Sequence, residues 1–415
     1  MTSPPTLGRS GPQLLLDRNF GPFVAGKVLA SSGTWIQQIA AAVLMFQLTR
    51  SAFLVGVATG LTFAGPLVLA LWTGSLTDRY DRRMLLMVGR VISGAPVGLL
   101  AIAIIWRGMD GFGGVPVVLA TAAAMGVGQA LSVPAMQALT PALVPDEDLE
   151  QALAFSAIAP SIARAIGPAA GAALLYFSGP GGAFAAAALA HLTFVAVLSM
   201  ITARPQVREA TRPRLFGGLR YLRQTRAALM IIGGVALLGF AADPVITLTP
   251  PLADQLGGGS QLVGVFAAVF GAGAVVIVLA FRSLRRVLSL RWVGVAGFVT
   301  ASVGLAVTGL IHSPVAASIG FLLNGAGFML ATVALTSRIQ RRVPDQLRGR
   351  VMALWGVAFL GSRPLAAPIN GALADTFSVA VALLFVAVLV LAAAPLALAR
   401  YDPAPTTEPE PASAR

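Results

Sequence analysis

The chain has 415 residues, of which 57% are hydrophobic and 11% are charged. Soluble domains carry about 25% charged residues, so a chain with less than half of that is predicted to be a polytopic membrane protein. It contains no cysteine and only two histidines, which argues against disulfides, zinc sites and iron–sulfur clusters. We therefore expect no cofactor. In a soluble protein a net charge of +13 would suggest nucleic-acid binding. In this chain, the positions of the basic residues must show what the charge is for.

Twelve apolar stretches are long enough to cross a membrane, since a helix needs about 20 residues to span a hydrocarbon core of about 30 Å. They lie near residues 20–48, 53–76, 84–106, 115–140, 151–177, 182–203, 228–251, 261–281, 289–311, 315–338, 350–374 and 378–399. The apolar runs are continuous rather than alternating, which indicates helices. We predict an all-α membrane protein with twelve transmembrane helices.

The basic residues set the predicted orientation. With the N-terminus in the cytoplasm, 24 of the 29 basic residues fall in the inner segments, whereas the outer loops hold only Arg50 and Arg107. This is the positive-inside pattern. It places both termini in the cytoplasm, fits an even number of spans, and explains the charge by topology and anionic lipid rather than by nucleic acid. Lys27 is the only lysine, and such an excess of arginine indicates a GC-rich bacterial genome, so we expect the protein in the bacterial cytoplasmic (inner) membrane.

The chain divides at its midpoint. Residues 204–227 form the longest internal polar segment, and Leu215, Leu219 and Leu222 fall on one helical face there, which predicts an amphipathic helix on the inner surface. The segment separates a first bundle of six spans from a second one. The predicted ranges are a tail at 1–19, bundles at 20–203 and 228–399, the linker at 204–227, and a tail at 400–415.

An internal repeat supports two related halves. Val144-Pro145-Asp146 precedes the fifth span and Val343-Pro344-Asp345 precedes the eleventh, 199 residues later. Parallel halves related by an axis along the membrane normal are a known transporter plan, with the substrate bound between them near the midplane.

The loop between the second and third spans carries a family signature. It reads Gly74-Ser75-Leu76-Thr77-Asp78-Arg79-Tyr80-Asp81-Arg82-Arg83. This resembles the cytoplasmic motif Gly-x-Leu-x-Asp-Arg-x-Gly-Arg-Arg of the major facilitator superfamily, with Asp81 where many members have glycine. Three further stretches are similar to its drug and siderophore exporter branch: residues 32–38 (SGTWIQQ), 134–139 (PAMQAL) and 164–168 (RAIGP).

The resemblance implies the major facilitator fold of two pseudo-symmetric six-helix bundles, and a secondary transporter that exports a small amphipathic or anionic compound by alternating access. It also implies a gating motif formed by Gly74, Asp78, Arg79, Asp81, Arg82 and Arg83. Asp78 would face the start of the eleventh span, where a helix N-terminus attracts a carboxylate. The alternative is a surface turn that only obeys the positive-inside rule.

Two arginines are predicted inside the membrane, where a charge costs roughly 2.5–3.5 kcal/mol on insertion scales. Arg164 and Arg363 each lie about 20 Å along corresponding spans, and two guanidiniums at one depth would favour an anionic or acceptor-rich substrate. The alternative is that they bond backbone carbonyls freed by nearby prolines. The predicted substrate cavity comprises Trp35, Gln37, Gln38, Gln129, Arg164, Asn324 and Arg363.

Asp243 is the only carboxylate well inside a predicted span, and Pro244 follows it. A carboxylate there could take up and release a proton in each cycle, so it is the predicted coupling residue. The alternative is an outer-gate residue paired with an arginine or a helix cap. Lys27, near the start of the first span, is expected to extend its ammonium towards the inner surface.

The predicted function is proton-coupled antiport. No phosphate-binding Gly-x-x-x-x-Gly-Lys-[Ser/Thr] loop is present, so an ion gradient is favoured over ATP, and no catalytic triad indicates an enzyme. The expected partners are a small-molecule substrate, protons and membrane lipid, and we expect a monomer. Two alternatives stay open: a nutrient importer of the same fold, and a transporter-like sensor or assembly protein, which an arginine pair buried in packing would favour.

Overall fold

The computed structural model describes residues 11–202 and 216–399. The tail residues 1–10 and 400–415, and residues 204–215 of the predicted linker, lie outside the described residues. Within the described ranges the chain forms helices and no strand. The α-helices are α1 (Gly11–Leu15), α2 (Phe20–Thr49), α3 (Ala52–Val68), α4 (Ala70–Arg79), α5 (Arg82–Gly111), α6 (Gly114–Leu139), α7 (Leu149–Met200), α8 (Phe216–Gln224), α9 (Arg226–Ala242), α10 (Pro244–Thr247), α11 (Thr249–Gln255), α12 (Gly259–Val287), α13 (Leu290–Leu310), α14 (Pro314–Arg342), α15 (Asp345–Gly361), α16 (Arg363–Thr376) and α17 (Val379–Ala392). Three 3₁₀ turns lie at Thr140–Leu143, Asp146–Asp148 and Ala394–Leu398.

Ten helical segments of the described chain are long and apolar enough to cross a membrane. One of them, Asp146–Met200, has 55 residues and covers two predicted spans. Its regular geometry is interrupted at Gly179, where φ is 66° and ψ is −174°. Glycine is the residue that adopts a positive φ without strain, so this position permits a reversal of the chain.

The contacts of α7 show that it does double back at Gly179. Lys27 on α2 donates to the carbonyl oxygen of Ser156 at 2.7 Å, while the adjacent Gly26 lies against the ring of Phe194. In a straight helix, Ser156 and Phe194 would be about 57 Å apart at about 1.5 Å per residue. The two arms of α7 therefore count separately. The all-helical membrane fold is confirmed, and the full count of twelve crossings, which needs the shorter Ala52–Val68 as well, stays a prediction.

The helices pack in two groups. Within α2–α7, the strongest packing joins α2 to α7 and α5 to α6, and within α9–α17 it joins α14 to α12 and α13. We call these groups the N-terminal bundle and the C-terminal bundle. Across the groups, α3 packs against α16 and α7 packs against α12. The division of the chain at its midpoint stays a prediction.

Two helices of the C-terminal bundle are broken at the depth of predicted site residues. The seventh predicted span becomes α9, α10 and α11, with Asp243 at the first break, and the eleventh becomes α15 and α16, separated by Ser362. Each break is followed by a proline, at Pro244 and Pro364, and proline suits the first turn of a new helix. The breaks therefore place Asp243 and Arg363 beside helix starts.

The alternating helices define two ends of the molecule. The far end holds the Arg50–Ala52 turn, Gly179 and the connections at 254–259, 311–313 and 376–378. The basic end holds the Arg79–Arg83 loop and the arginine-bearing ends of α12 and α14.

Candidate functional site

The two bundles meet most closely between α3 and α16. A Cβ atom placed on Gly56 would lie 2.2 Å from the carbonyl oxygen of Ala367, and one placed on Gly371 would lie 2.3 Å from that of Ala52. Backbone-to-backbone contact this close requires glycine, because small residues allow membrane helices to pack tightly. The contact brings side chains of both bundles together around the start of α16.

Arg363, the first residue of α16, lies inside this junction. Only 4% of its surface is exposed. Its guanidinium carbon is 4.5 Å from the ring centre of Phe63 and 5.9 Å from that of Trp35, both on the N-terminal bundle, and 5.4 Å from Phe359 on α15. The cation is thus held between aromatic faces of both bundles, which attract it through their quadrupoles. Its Nε has no hydrogen-bond partner among the described residues.

Arg164 approaches the same place from the opposite bundle. Its guanidinium carbon lies 5.8 Å from the ring centre of Phe328 and 5.9 Å from that of Phe359. Phe359 therefore faces both predicted arginines, which are close enough to repel each other. The structure brings together the two residues that the sequence placed at one depth.

Asp243 belongs to this cluster through Arg363. Its carboxylate, 1% exposed, accepts a hydrogen bond from Asn370 Nδ2 at 2.6 Å and one from Thr247 Oγ1 at 3.0 Å. It also interacts electrostatically with Arg363. The buried charge is thus satisfied from α10 and α16 of its own bundle, and an opposite charge lies nearby, as buried ions require.

The remaining predicted cavity residues lie in different surroundings. Trp35 faces Arg363. Gln37 and Gln38 are buried on α2, and each Oε1 has no hydrogen-bond partner in the described chain. Gln129 donates to Thr34 Oγ1 at 3.4 Å, which joins α6 to α2 inside the N-terminal bundle. Asn324 is buried on α14, where its backbone lies against Gly304 of α13, and neither its Oδ1 nor its Nδ2 has a hydrogen-bond partner among the described residues.

The predicted gating motif spans the end of α4 and the start of α5. The side chain of Asp78, and the surroundings of Gly74, lie outside the described part. Arg79 is exposed at the last residue of α4. Asp81 precedes α5 and caps it, because its Oδ1 accepts from the amide of Met84 at 2.8 Å. Its role here is local, which explains how the turn forms without the glycine of the family motif.

Arg82 and Arg83 of the same motif donate to backbone carbonyls. Arg82 Nη1 lies 3.1 Å from the oxygen of Ala138, and Arg83 Nη2 bonds the oxygen of Ser199. Both acceptors belong to the N-terminal bundle, so these two bonds fasten helix ends within that bundle.

The expectation for Lys27 was wrong. The residue is 5% exposed, and its ammonium donates to Ser156 Oγ at 2.6 Å and to the Ser156 carbonyl oxygen. The ammonium of Lys27 is therefore hydrogen-bonded to α7 inside the bundle and does not extend to solvent at the inner surface.

Sequence reasoning did not identify Asp375, near the C-terminal end of α16. Its carboxylate accepts from Ser51 Oγ at 2.6 Å and from the amides of Ala52 at 2.8 Å and Phe53 at 3.0 Å. These groups begin α3, so Asp375 caps a helix of the other bundle, where unpaired amides and the helix dipole favour an anion. Beside it, Arg50 Nη1 lies 2.7 Å from Asp254 Oδ1, also across the bundles.

Relatives with a curated description match most of the chain. The enterobactin exporter EntS of Escherichia coli is 27% identical over 381 residues, which cover 85% of this chain and 86% of that protein. The protein of the same name from Shigella boydii is 27% identical over the same coverage.

Solved transporters share the fold. A crystal structure of a bacterial homologue of the human lysosomal transporter Spinster, inward-facing and unoccupied, superimposes with a TM-score of 0.75 at 14% identity, covering 95% of this chain and 99% of that one. The sequence profile of the transmembrane secretion effector family matches residues 16–413. With this match and the bundle geometry above, the chain belongs to the transmembrane secretion effector family of the major facilitator superfamily, whose members are transporters rather than enzymes.

Proposed function

We propose that the chain exports a small amphipathic anion, siderophore-like in character, across the bacterial cytoplasmic membrane by alternating access. The observation that carries the proposal is the meeting of Arg164 and Arg363, from opposite bundles, at the ring of Phe359. A group shared between two bundles changes its exposure when the bundles rock against each other, which is how transporters of two repeats work.

The chemistry of the junction supports an anionic, ring-containing cargo. Guanidiniums bind carboxylate and other oxyanions through paired hydrogen bonds, and the unpartnered Nε of Arg363 has donor capacity left. Trp35, Phe63 and Phe359 offer faces on which a flat apolar group could stack. The relatives described as enterobactin exporters support both the class of cargo and the outward direction.

Asp243 is the proposed site of proton coupling. It is the carboxylate in contact with Asn370 and within electrostatic reach of Arg363, so its protonation would change the charge of the junction. We retain antiport as the coupling mode, with protons entering as cargo leaves, and both termini in the cytoplasm.

Transport of enterobactin by the purified chain in liposomes tests the cargo and the site together. We expect wild type to move enterobactin when a proton gradient is imposed, and Arg363→Gln to reduce the rate at least about tenfold, because a charged hydrogen bond contributes about 1.5–3 kcal/mol. Arg286→Gln, an exposed arginine at the basic end of the same bundle, is the matched control. Full activity of Arg363→Gln would refute the site, and no movement by folded wild type would refute the cargo.

The coupling role is tested by Asp243→Asn, whose amide oxygen can still accept from Asn370. We expect the variant to lose proton flux driven by cargo while it still carries cargo down a concentration gradient. Glu147→Gln, which changes an exposed carboxylate in the connection between α6 and α7, should keep both. Undiminished proton flux in Asp243→Asn would exclude it as the coupling group.

One observation favours the transporter-like sensor as a second candidate: Arg363 is 4% exposed and is packed among three rings. A sensor would bind an anion at this junction without moving it. Binding of enterobactin by wild type, without transport under any gradient, would assign this function instead.

A further inference from the structure

A second group of arginines surrounds a cavity at the basic end, away from the junction of the bundles. The cavity has a volume of about 220 Å³ and lies between the start of α13 and the end of α14. It is lined by Ser289, Leu290, Arg291, Arg338, Arg341 and Arg342. We propose that this arginine pocket binds the phosphate of an anionic phospholipid headgroup.

Among the described residues, the pocket lining includes four arginines and no carboxylate, so no described lining group balances their charge. Arg338 is 7% exposed, and its two Nη atoms donate to the carbonyl oxygens of Ala397 and Ala399, which fixes the guanidinium in the wall. Like charges gathered in one cavity repel one another, and a phosphate would convert that repulsion into attraction. Arginine suits this ligand because its planar fork matches phosphate oxygens.

The start of α13 adds donors to the same cavity. Ser289 precedes the helix and its side chain makes no capping hydrogen bond. The first turn of a helix also leaves backbone N–H groups without intrahelical partners, and their dipole favours an anion. Leu310 ends this helix, so α13 is 21 residues long and its dipole is fully developed.

The surroundings favour a lipid over a free anion. Leu290 packs on the apolar cluster of Val293, Leu330 and Ala334. Beside the pocket, Val287 is 84% exposed and Trp292 is 57% exposed. Tryptophan is enriched at the membrane–water interface, and exposed apolar residues at that level contact acyl chains. A phosphate in the pocket would therefore sit where a headgroup lies, with its chains alongside Val287 and Trp292.

Thermal unfolding of the full-length chain in detergent, titrated with phosphatidylglycerol, tests the proposal. The variant Arg291→Gln/Arg341→Gln removes two lining charges and leaves Arg338 in place. The matched control is Arg282→Gln/Arg286→Gln, which removes the same charge from neighbouring α12 outside the pocket. Each basic residue near a lipid surface contributes a factor of about five, so for two residues we expect about thirtyfold more lipid for half-maximal stabilisation of the pocket variant. The control should respond as wild type does.

Three outcomes would overturn the proposal. Equal responses of the pocket variant and the control would mean that the charge acts without a site. Equal stabilisation by inorganic phosphate at the same concentration would assign the pocket to a free anion. The sequence after Ala399 contains Asp402, Glu408 and Glu410. A response to lipid that appears only after their replacement by Asn and Gln would assign the pocket to the chain's own tail.

Discussion

The two ends of the molecule use their charged side chains in different ways. At the far end, carboxylates cross between the bundles: Asp375 caps α3, and Asp254 pairs with Arg50. At the basic end, arginines donate to backbone carbonyls of their own bundle, as Arg82, Arg83, Arg285 and Arg338 do.

The described far-end contacts indicate what opening of that end would break. Separation of the bundles at the far end breaks the Arg50–Asp254 pair and the three hydrogen bonds of Asp375, and it parts the glycine contact of Gly56. Separation at the basic end leaves those arginine-to-carbonyl bonds intact. These described contacts close the far end, and we expect them to resist its opening.

The largest expected effect comes from Gly56→Ala. The new Cβ would meet the backbone of Ala367, which cannot move aside as a side chain can, so overpacking should cost about 1–3 kcal/mol and force α3 away from α16. Spin labels on Phe177→Cys and His312→Cys, both exposed at the far end, would report a longer distance. The chain has no native cysteine, so these are the only labelling sites.

Gly356→Ala is the control for that prediction, because a Cβ at Gly356 on α15 would meet no atom within 4 Å. It should leave the far-end distance unchanged and stabilise the helix by up to about 1 kcal/mol. An unchanged distance in Gly56→Ala would show that the two bundles do not depend on this contact.

Asp375→Ala should have the next largest effect. It removes the acceptor of two amides and one hydroxyl at the start of α3, and loss of a helix cap costs about 0.5–2 kcal/mol. We expect the same pair of labels to show a larger open population. Asp375→Asn retains one carbonyl acceptor and should lie between Ala and wild type. An unchanged population in Asp375→Ala would remove the residue from the gate.

A smaller effect is expected for Asp254→Asn. The side chains of Arg50 and Asp254 are 67% and 52% exposed, and exposed ion pairs contribute about 0–1 kcal/mol. The open population should rise by at most about fivefold in low salt and not at all in high salt, which screens the pair. An effect larger than that of Asp375→Ala would reverse the ranking of the two carboxylates.

The smallest effect on the far end is expected for Arg82→Gln. The bond that it removes joins α5 to α6 inside one bundle, so the thermal stability should fall by about 1 kcal/mol while the far-end distance stays constant. A change in that distance would mean that the basic-end arginines also hold the bundles together.

Sequence alone predicted the fold and the arginine pair, because both depend on patterns along one chain. Continuous apolar runs identify the spans. Arg164 and Arg363 are recognisable because a charge inside a span is costly and therefore indicates a function. The breaks beside Asp243 and Arg363 were not predicted, although Pro244 and Pro364 follow them closely.

The sequence could not predict which residues far apart in the chain become hydrogen-bond partners. Asp375 caps amides that are more than 320 residues away, and an acidic residue at a loop carries no sign of such a role. Asn370 was not predicted as a site residue, because its bond to Asp243 depends on how α10 and α16 cross. The position of Lys27 was mispredicted for the same reason, because its acceptors on Ser156 lie 129 residues further along the chain.

The most direct test of alternating access measures the distance between two spin labels at each end of the otherwise wild-type protein, in the same liposomes. One pair of labels is Phe177→Cys with His312→Cys at the far end, and the other is Met84→Cys with Val287→Cys at the basic end. With enterobactin and a proton gradient present, the account predicts that the far-end distance lengthens while the basic-end distance shortens. Distances that stay fixed, or that lengthen together, would contradict it.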